Sequence, residues 1–321
     1  YQQADLPGFH DHAAHSLTTP TNDVDRWLRE VFAIEPYSLF REAFVVWYLP
    51  RASATRVSAA PPNTAFGITL SGAGVGSVSA AAAPLWSALD DQGTDAFPFV
   101  PGASVLNHVA AFLILDGCRS PARAGFSGLS TGLVNPARST QRIRSAFAQG
   151  HAHELTHAFA GLADEYLEND QTVTSSSETS NVVASNVCSA LPWAHLLAGG
   201  GINTTEQLVG AFGRPQRGYH SELLCLMNGT HENGEYWCGS AATSLTLRPN
   251  DRMCNWCREL ASYRVFEKTG ILSGGTSFQS WKTSYRAGFY ARFGFKLPPN
   301  VPQRFRCGTG AEMPLFEDCT R

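Results

Sequence analysis

One segment constrains this chain more than any other: His153-Glu-Leu-Thr-His157-Ala-Phe-Ala-Gly161-Leu-Ala-Asp164-Glu-Tyr166. On a helix, His153 and His157 stand four residues apart and share a face, so both imidazoles can grip one ion. Glu154 lies one step round the same helix, where a carboxylate can take a proton from water on that ion. Gly161 is a natural helix stop, because glycine enters left-handed backbone without strain. Three residues later Asp164 can swing back as a third ligand, leaving the fourth position open as catalytic zinc requires. Glu165 beside it is the competing third ligand. His151 is only two residues from His153, points its ring elsewhere, and reads as a surface or supporting residue. Ala148, Leu155, Ala158 and Phe159 give the helix its small, apolar side.

At 321 residues the chain can bury a core for one large domain or two modest ones. Its charged residues are sparse while Gly, Ala, Ser and Pro are frequent, which predicts a loop-rich fold. A formal charge of −3 gives no electrostatic case for nucleic acid or an anionic membrane surface. The longest strongly apolar run, Val109 to Leu115, is far too short to span a bilayer. No signal peptide is visible and the chain opens at Tyr1, which reads as a processed mature product.

Cysteine usage points outside the cell. Eight cysteines (Cys118, Cys188, Cys225, Cys238, Cys254, Cys257, Cys307 and Cys319) are an even number, and disulfides are the economical expectation. Cys307 with Cys319 would close a short terminal loop, and the four from Cys225 to Cys257 could pair among themselves. The rival reading, a structural zinc at Cys254-Asn-Trp-Cys257, lacks a matched second CxxC pair and is set below the disulfides. Two sequons, at Asn203 and Asn228, suit a secreted glycoprotein.

Along the chain, residues 1–22 form a polar arm carrying His10, His12 and His15. An amphipathic helix follows from about Asp23 to Phe32, capped by Asn22 or Asp23, with Val24, Trp27, Leu28, Val31 and Phe32 on one face and Pro36 as its stop. Phe44 to Leu49 reads as a buried strand. Residues 51–104 read as an irregular excursion with a short strand at Ala65 to Leu70 and a short helix around Leu85 to Leu89. Val105 to Leu115 reads as a central strand, and Gly125 to Gly128 belong to a segment that includes an edge strand. The histidine helix starts near Ser145 and packs on a twisted sheet, a layered α/β arrangement. Beyond it regular periodicity is lost for about eighty residues, and an acidic Ser/Thr-rich loop runs from Glu168 to Ser180. A helix from roughly Asn255 to Lys268 is closed by Gly270, with Trp256, Leu260 and Tyr263 on one face. The aromatic tail from Ile271, with Phe278, Trp281, Tyr285, Phe289, Tyr290, Phe293 and Phe295, reads as an extension packed on the catalytic unit. The expected division is an arm (1–22), a zinc-peptidase domain (23–270) and this C-terminal extension (271–321).

The histidine motif with its glycine and its Asp-Glu-Tyr triplet resembles the IgA-peptidase-type zinc metallopeptidases, a metzincin-like family whose motif is similar to HExxHxxxGLADEY. Other stretches are also similar: Glu35 to Trp47, Thr64-Ala-Phe-Gly67, Asn181-Val-Val, Leu191-Pro-Trp193, Cys225-Leu-Met227, and Cys254-Asn-Trp-Cys257-Arg-Glu259. The likeness covers roughly residues 23–268. It implies a metzincin-like zinc-peptidase fold of α/β class: a twisted, mostly parallel sheet on the active-site helix, and a loop-rich C-terminal half. It implies one catalytic Zn2+ held by His153, His157 and Asp164, Glu154 as the base, and Met227 as the methionine turn beneath the metal. Ordinary metzincins place the third ligand six residues after the second histidine, at Ala163 here; Gly161 and Asp164 both come one place later, so their mutual spacing is kept.

Together these readings predict a secreted, monomeric zinc endopeptidase acting on protein or peptide substrates, with no nucleic-acid partner. The substrate would lie extended along the sheet edge near Gly125 to Gly128, and Tyr166 would stabilise the oxyanion or orient the zinc shell. The alternatives are a catalytically silent binding protein that keeps the same fold, and a peptidase of another zinc clan with an aspartate third ligand.

Overall fold

Asn22 opens the first helix by capping it. Its Oδ1 accepts from the backbone N–H of Asp25 at 2.9 Å, while Asp25 accepts from Asn22 Nδ2 at 3.0 Å and from the N–H of Ser16 at 2.7 Å. Helix α1 spans Asp23–Val31 and buries Val24, Trp27 and Val31, with Phe32 just beyond its end. It stops well before Pro36, because the chain turns at once: Ile34 N–H donates to Val31 O at 3.1 Å.

The computed structural model describes residues 16–18, 22–44, 46, 52–54, 70–71, 74–75, 110–115, 123–125, 129–134, 152–165, 173, 177–185, 187–197, 209–214, 218–222, 225–228, 252–272 and 277–294. Outside them lie the expected histidine arm, the helix around Leu85 to Leu89, the start near Ser145, and Tyr166, Asn203, Cys118, Cys238, Cys307 and Cys319. The chain divides into two units, Tyr1–Gly161 with His231–Leu247, and Leu162–Thr230 with Arg248–Arg321.

In the first unit, β1 (Leu70–Ser71) and β2 (Gly74–Val75) form a minimal antiparallel pair. Strands β3 (Ala110–Leu115), β4 (Arg123–Gly125) and β5 (Leu129–Val134) form a sheet in the order β3-β5-β4. β3 runs parallel to β5, with Ala110 opposite Leu129, and β4 runs antiparallel to it. Among the described residues β5, not β3, therefore has a neighbour on each side. Helix α2 covers 152–160 in its described part. An aromatic cluster holds it: Phe159 lies 6.0 Å from Tyr37 and 5.2 Å from Phe44, and Phe32 lies 5.2 Å from Phe44. Tyr37 also shares a hydrogen bond of 2.7 Å with Thr156 Oγ1, and burial pushes its phenol well above the usual range. The expected buried strand from Phe44 does not hold at Val46, which is 43% exposed. Phe44 itself is extended and half-buried, just past a short 3-10 turn at Arg41–Ala43.

In the second unit, helix α3 (Ala194–Leu197) precedes an antiparallel hairpin of β6 (Val209–Arg214) and β7 (Gly218–Glu222). Trp193 is fully buried and donates its indole N–H to Gly210 O at 2.6 Å. Helix α4 spans Asn255–Lys268, and residues 255–263 are all buried. Its cap is a cysteine: Cys254 Sγ accepts from Cys257 N–H at 3.3 Å. Helix α5 (Ser277–Ser280), a π-helical turn (Trp281–Tyr285) and α6 (Arg286–Phe293) follow as one continuous helical run. They pack on α4 through Phe278 against Tyr263 (5.0 Å) and Trp281 against Phe266 (5.1 Å). Beneath them Glu259, wholly buried, accepts from Arg286 Nε at 2.6 Å, Tyr290 OH at 2.7 Å and Trp281 Nε1 at 3.0 Å, and pairs with His195 Nε2 at 2.8 Å. Among the described residues no helix is long and apolar enough to cross a membrane.

Candidate metal centre

The candidate site is built on one continuous stretch, 152–165. Helix α2 presents His153 and His157 on the same face, as their spacing predicts. Both are buried, their rings stand nearly perpendicular at 4.5 Å between centroids, and their Nε2 atoms approach to 2.9 Å. Gly161 ends the helix with φ 68°, its N–H donating to His157 O at 3.0 Å. A side chain there would occupy a conformation L residues avoid, so the bend requires glycine. Past that turn Asp164 brings a carboxylate oxygen within 4.8 Å of the two imidazole nitrogens. Glu154, between the histidines in sequence, is half-buried.

The donor set suits a divalent cation. Two nitrogens aimed at each other at 2.9 Å can share at most one hydrogen, and a cation lying against both lone pairs satisfies them equally. Two imidazoles with one carboxylate is a three-ligand set that zinc accepts while keeping a position open.

What holds Asp164 in place is less apparent from sequence. Asn181 clamps the preceding residue: its Oδ1 accepts from Ala163 N–H at 2.8 Å, and its Nδ2 donates to Ala163 O at 2.7 Å and Glu165 Oε1 at 3.2 Å. Glu165 N–H donates to Met227 O at 2.8 Å. Met227 is wholly buried in the turn Leu226–Asn228, so the residue expected as a methionine turn is tied by backbone to the segment that carries Asp164. Asn228, in the same turn, is only 8% exposed, a setting that does not suit a glycan.

Glu165 does not join the histidines. It is buried with Cys225, Cys254 and Cys257, and the four donor atoms lie within 4.8 Å of one another. Cys257 Sγ–H donates to Glu165 Oε1 at 3.0 Å, and Cys225 Sγ accepts from Cys254 N–H at 3.2 Å. Here the disulfide expectation is corrected: Cys225, Cys254 and Cys257 are free thiols. Three sulfurs and a carboxylate converge on one point, and an odd number of thiols cannot all pair with one another. The side chain of Cys188 lies outside the described set.

Burial sets the electrostatics of this second cluster. It drives Glu165 well above the ordinary carboxyl value, the Cys254 sulfur adding to the effect. Burial likewise raises Cys225 and Cys257. Cys254 goes the other way: burial opposes its ionisation, but hydrogen bonds from Cys225, Cys257 and Ser221 carry it well below a normal thiol. Nearby, burial raises Glu222 to about 8 and lowers His220 to about 4.

No known protein-family model and no curated protein matches this chain.

Proposed function

We propose that the chain is a secreted, zinc-dependent endopeptidase of metzincin-like fold. The observation that carries this reading is the convergence of His153, His157 and Asp164 beside a half-buried glutamate on the same helix turn. A ligand cluster with no catalytic role has no need of a carboxylate at Glu154. The alternation of base and ligands along one turn is the economical way to place a proton acceptor next to a Lewis acid. Zinc in this site would supply Lewis acidity towards a scissile carbonyl and make water a competent nucleophile near neutral pH.

The chain's own residues do the rest. His153 and His157 bind as neutral imidazoles, so the site with one carboxylate stays net positive. Glu154 takes the proton from the attacking water as the new C–O bond forms. It then delivers that proton to the amine nitrogen as the C–N bond breaks, returning to its starting state. Gly161 and the Asn181 clamp keep Asp164 from drifting away during the cycle.

The decisive test is Glu154→Gln. Zinc content should stay at the wild-type level, while cleavage of a diverse peptide mixture falls by about 10²–10⁴-fold. A chelator should abolish wild-type cleavage, and added zinc should restore it. Undiminished proteolysis by Glu154→Gln would remove the mechanism. A fully zinc-loaded wild type that cuts nothing would favour a silent binding protein instead.

A further inference from the structure

We propose that Glu165, Cys225, Cys254 and Cys257 form a second metal site, a closed structural one that binds Zn2+. Its donors come from three separate places in the chain: the residue after Asp164, the residue two before Met227, and the first turn of α4. Folding nevertheless brings them within 4.8 Å of one another in a fully buried cluster. Three sulfurs and one carboxylate oxygen are four ligands. A tetrahedron with Zn–S near 2.3 Å has edges of about 3.8 Å, inside the 4.8 Å that bounds the cluster.

The surroundings are those of a thiolate site. Cys225 Sγ accepts a backbone N–H at 3.2 Å, and Cys254 Sγ accepts one at 3.3 Å and shares a hydrogen bond with Ser221 Oγ at 3.3 Å. Such contacts orient sulfur ligands and offset their charge. Cys254 and Cys257 also sit at the N-terminal end of the 14-residue helix α4, whose dipole favours negative charge there. Glu165 Oε2 is buried without a hydrogen-bond donor, 3.7 Å from His220 Nδ1, while its partner oxygen has two donors. A buried carboxylate oxygen without a hydrogen bond, on a residue grouped with three thiols, is what a cation would satisfy.

Two other uses of these cysteines fit less well. A redox-active CxxC must be reached by its exchange partner, and all three sulfurs here belong to fully buried residues. A disulfide would use two of the thiols and leave the third with that carboxylate. Sulfur-rich tetrahedral donors select zinc among the common divalent ions. A bound ion would pin Glu165, the neighbour of Asp164, and Cys225, two residues before Met227, and so steady the backbone that carries Asp164. The inference does not depend on whether the histidine site is catalytic.

The test is metal stoichiometry on the full-length protein purified with zinc. Wild type should hold two equivalents, and His153→Ala/His157→Ala should keep one. Zinc K-edge absorption of that variant should show three sulfur scatterers at about 2.3 Å and one light atom. A variant with no zinc, or with only nitrogen and oxygen around it, would overturn the proposal. Cys225→Ser/Cys254→Ser should lose one equivalent but risks misfolding, so a second measurement uses wild type alone. Denatured with chelator and without reductant, Cys225, Cys254 and Cys257 should all alkylate; a disulfide to any of them would refute the site. If the histidine site alone binds no metal, wild type will hold a single sulfur-coordinated zinc that the histidine substitutions leave untouched; if it binds zinc without turnover, wild type will hold two and cleave nothing.

Discussion

Replacing Gly161 by alanine isolates the bend between the histidines and Asp164. The residue sits at φ 68°, and an added Cβ would meet nothing within 4 Å. The cost is therefore purely conformational: left-handed backbone disfavours an L residue by about 1–2 kcal/mol. Alanine also restricts the unfolded chain, which returns about 0.4–1 kcal/mol. The net destabilisation should be ~1 kcal/mol. If the bend relaxes to relieve it, zinc affinity should fall by no more than about fivefold. Gly218 supplies the contrast. At φ 100° its Cβ would lie 2.6 Å from Val182 Cγ1 and 2.9 Å from Val173 Cγ2. Valine has little rotamer freedom to retreat, so overpacking adds about 1–3 kcal/mol to the backbone term. Gly218→Ala should thus cost ~3 kcal/mol and leave the histidine site intact once folded. Urea unfolding of the metal-free proteins, with chelator competition for zinc affinity, measures both. Equal losses for the two variants, or a Gly161→Ala protein as stable as wild type, would refute the argument from backbone geometry.

Glu259→Gln should destabilise by about 3 kcal/mol in urea, since it leaves four donors facing one acceptor, moderated by the partial exposure of His195 and Arg286. Burial raises this carboxyl's pKa, but the His195 hydrogen bond and the charges of His195 and Arg286 outweigh it and hold the value below the ordinary 4.5. The folded state then binds fewer protons than the unfolded one near that pH. The contribution is full above the unfolded value and is lost as pH falls through the folded one, so the variant should flatten the acid limb of a stability–pH curve. Asn181→Ala removes three hydrogen bonds on 163 and 165 and should cost about 2 kcal/mol in thermal unfolding, with zinc affinity at the histidine site falling roughly tenfold or more. Asp164→Ala should abolish tight zinc binding at that site with little loss of metal-free stability, because its side chain is half-exposed; a large loss would mean that Asp164 is primarily a packing residue.

The parts of the fold that could be read from sequence are those in which one helix carries its own signal. α1 announces itself through Asn22 and a run of apolar residues at helical spacing, and the bounds of α4 coincide with the apolar pattern around Trp256, Leu260 and Tyr263. The pairing of His153 and His157 follows from the same periodicity. The hairpin of β6 and β7 carried no such signal. All five residues of β7 are buried, including His220, Ser221 and Glu222, so polar and apolar side chains do not alternate. The cysteine cluster was equally hidden. An even count favours disulfides, and nothing local links Glu165 or Cys225 to the CxxC that folding brings beside them. Nor does sequence expose the Asn181 clamp, an amide bonded to backbone 18 positions away.

Asp164 and Glu165, the two candidates for the third-ligand role, lie in different clusters. Adjacent carboxylates have different neighbours here: Asp164 lies with His153 and His157, Glu165 with Cys225, Cys254 and Cys257. The direction of Asp164 is set by its flanks. Ala163 is held on both its polar atoms by Asn181, and Glu165 is held by Met227 O through its N–H and by Asn181 and Cys257 through Oε1. Fixed peptide planes on either side hold the backbone of this half-exposed aspartate without burying its carboxylate. Its partial exposure lowers the cost of carrying a charge there. The acidic pair is thus divided between two clusters, one carboxylate buried among the thiols and the other half-exposed beside the histidines.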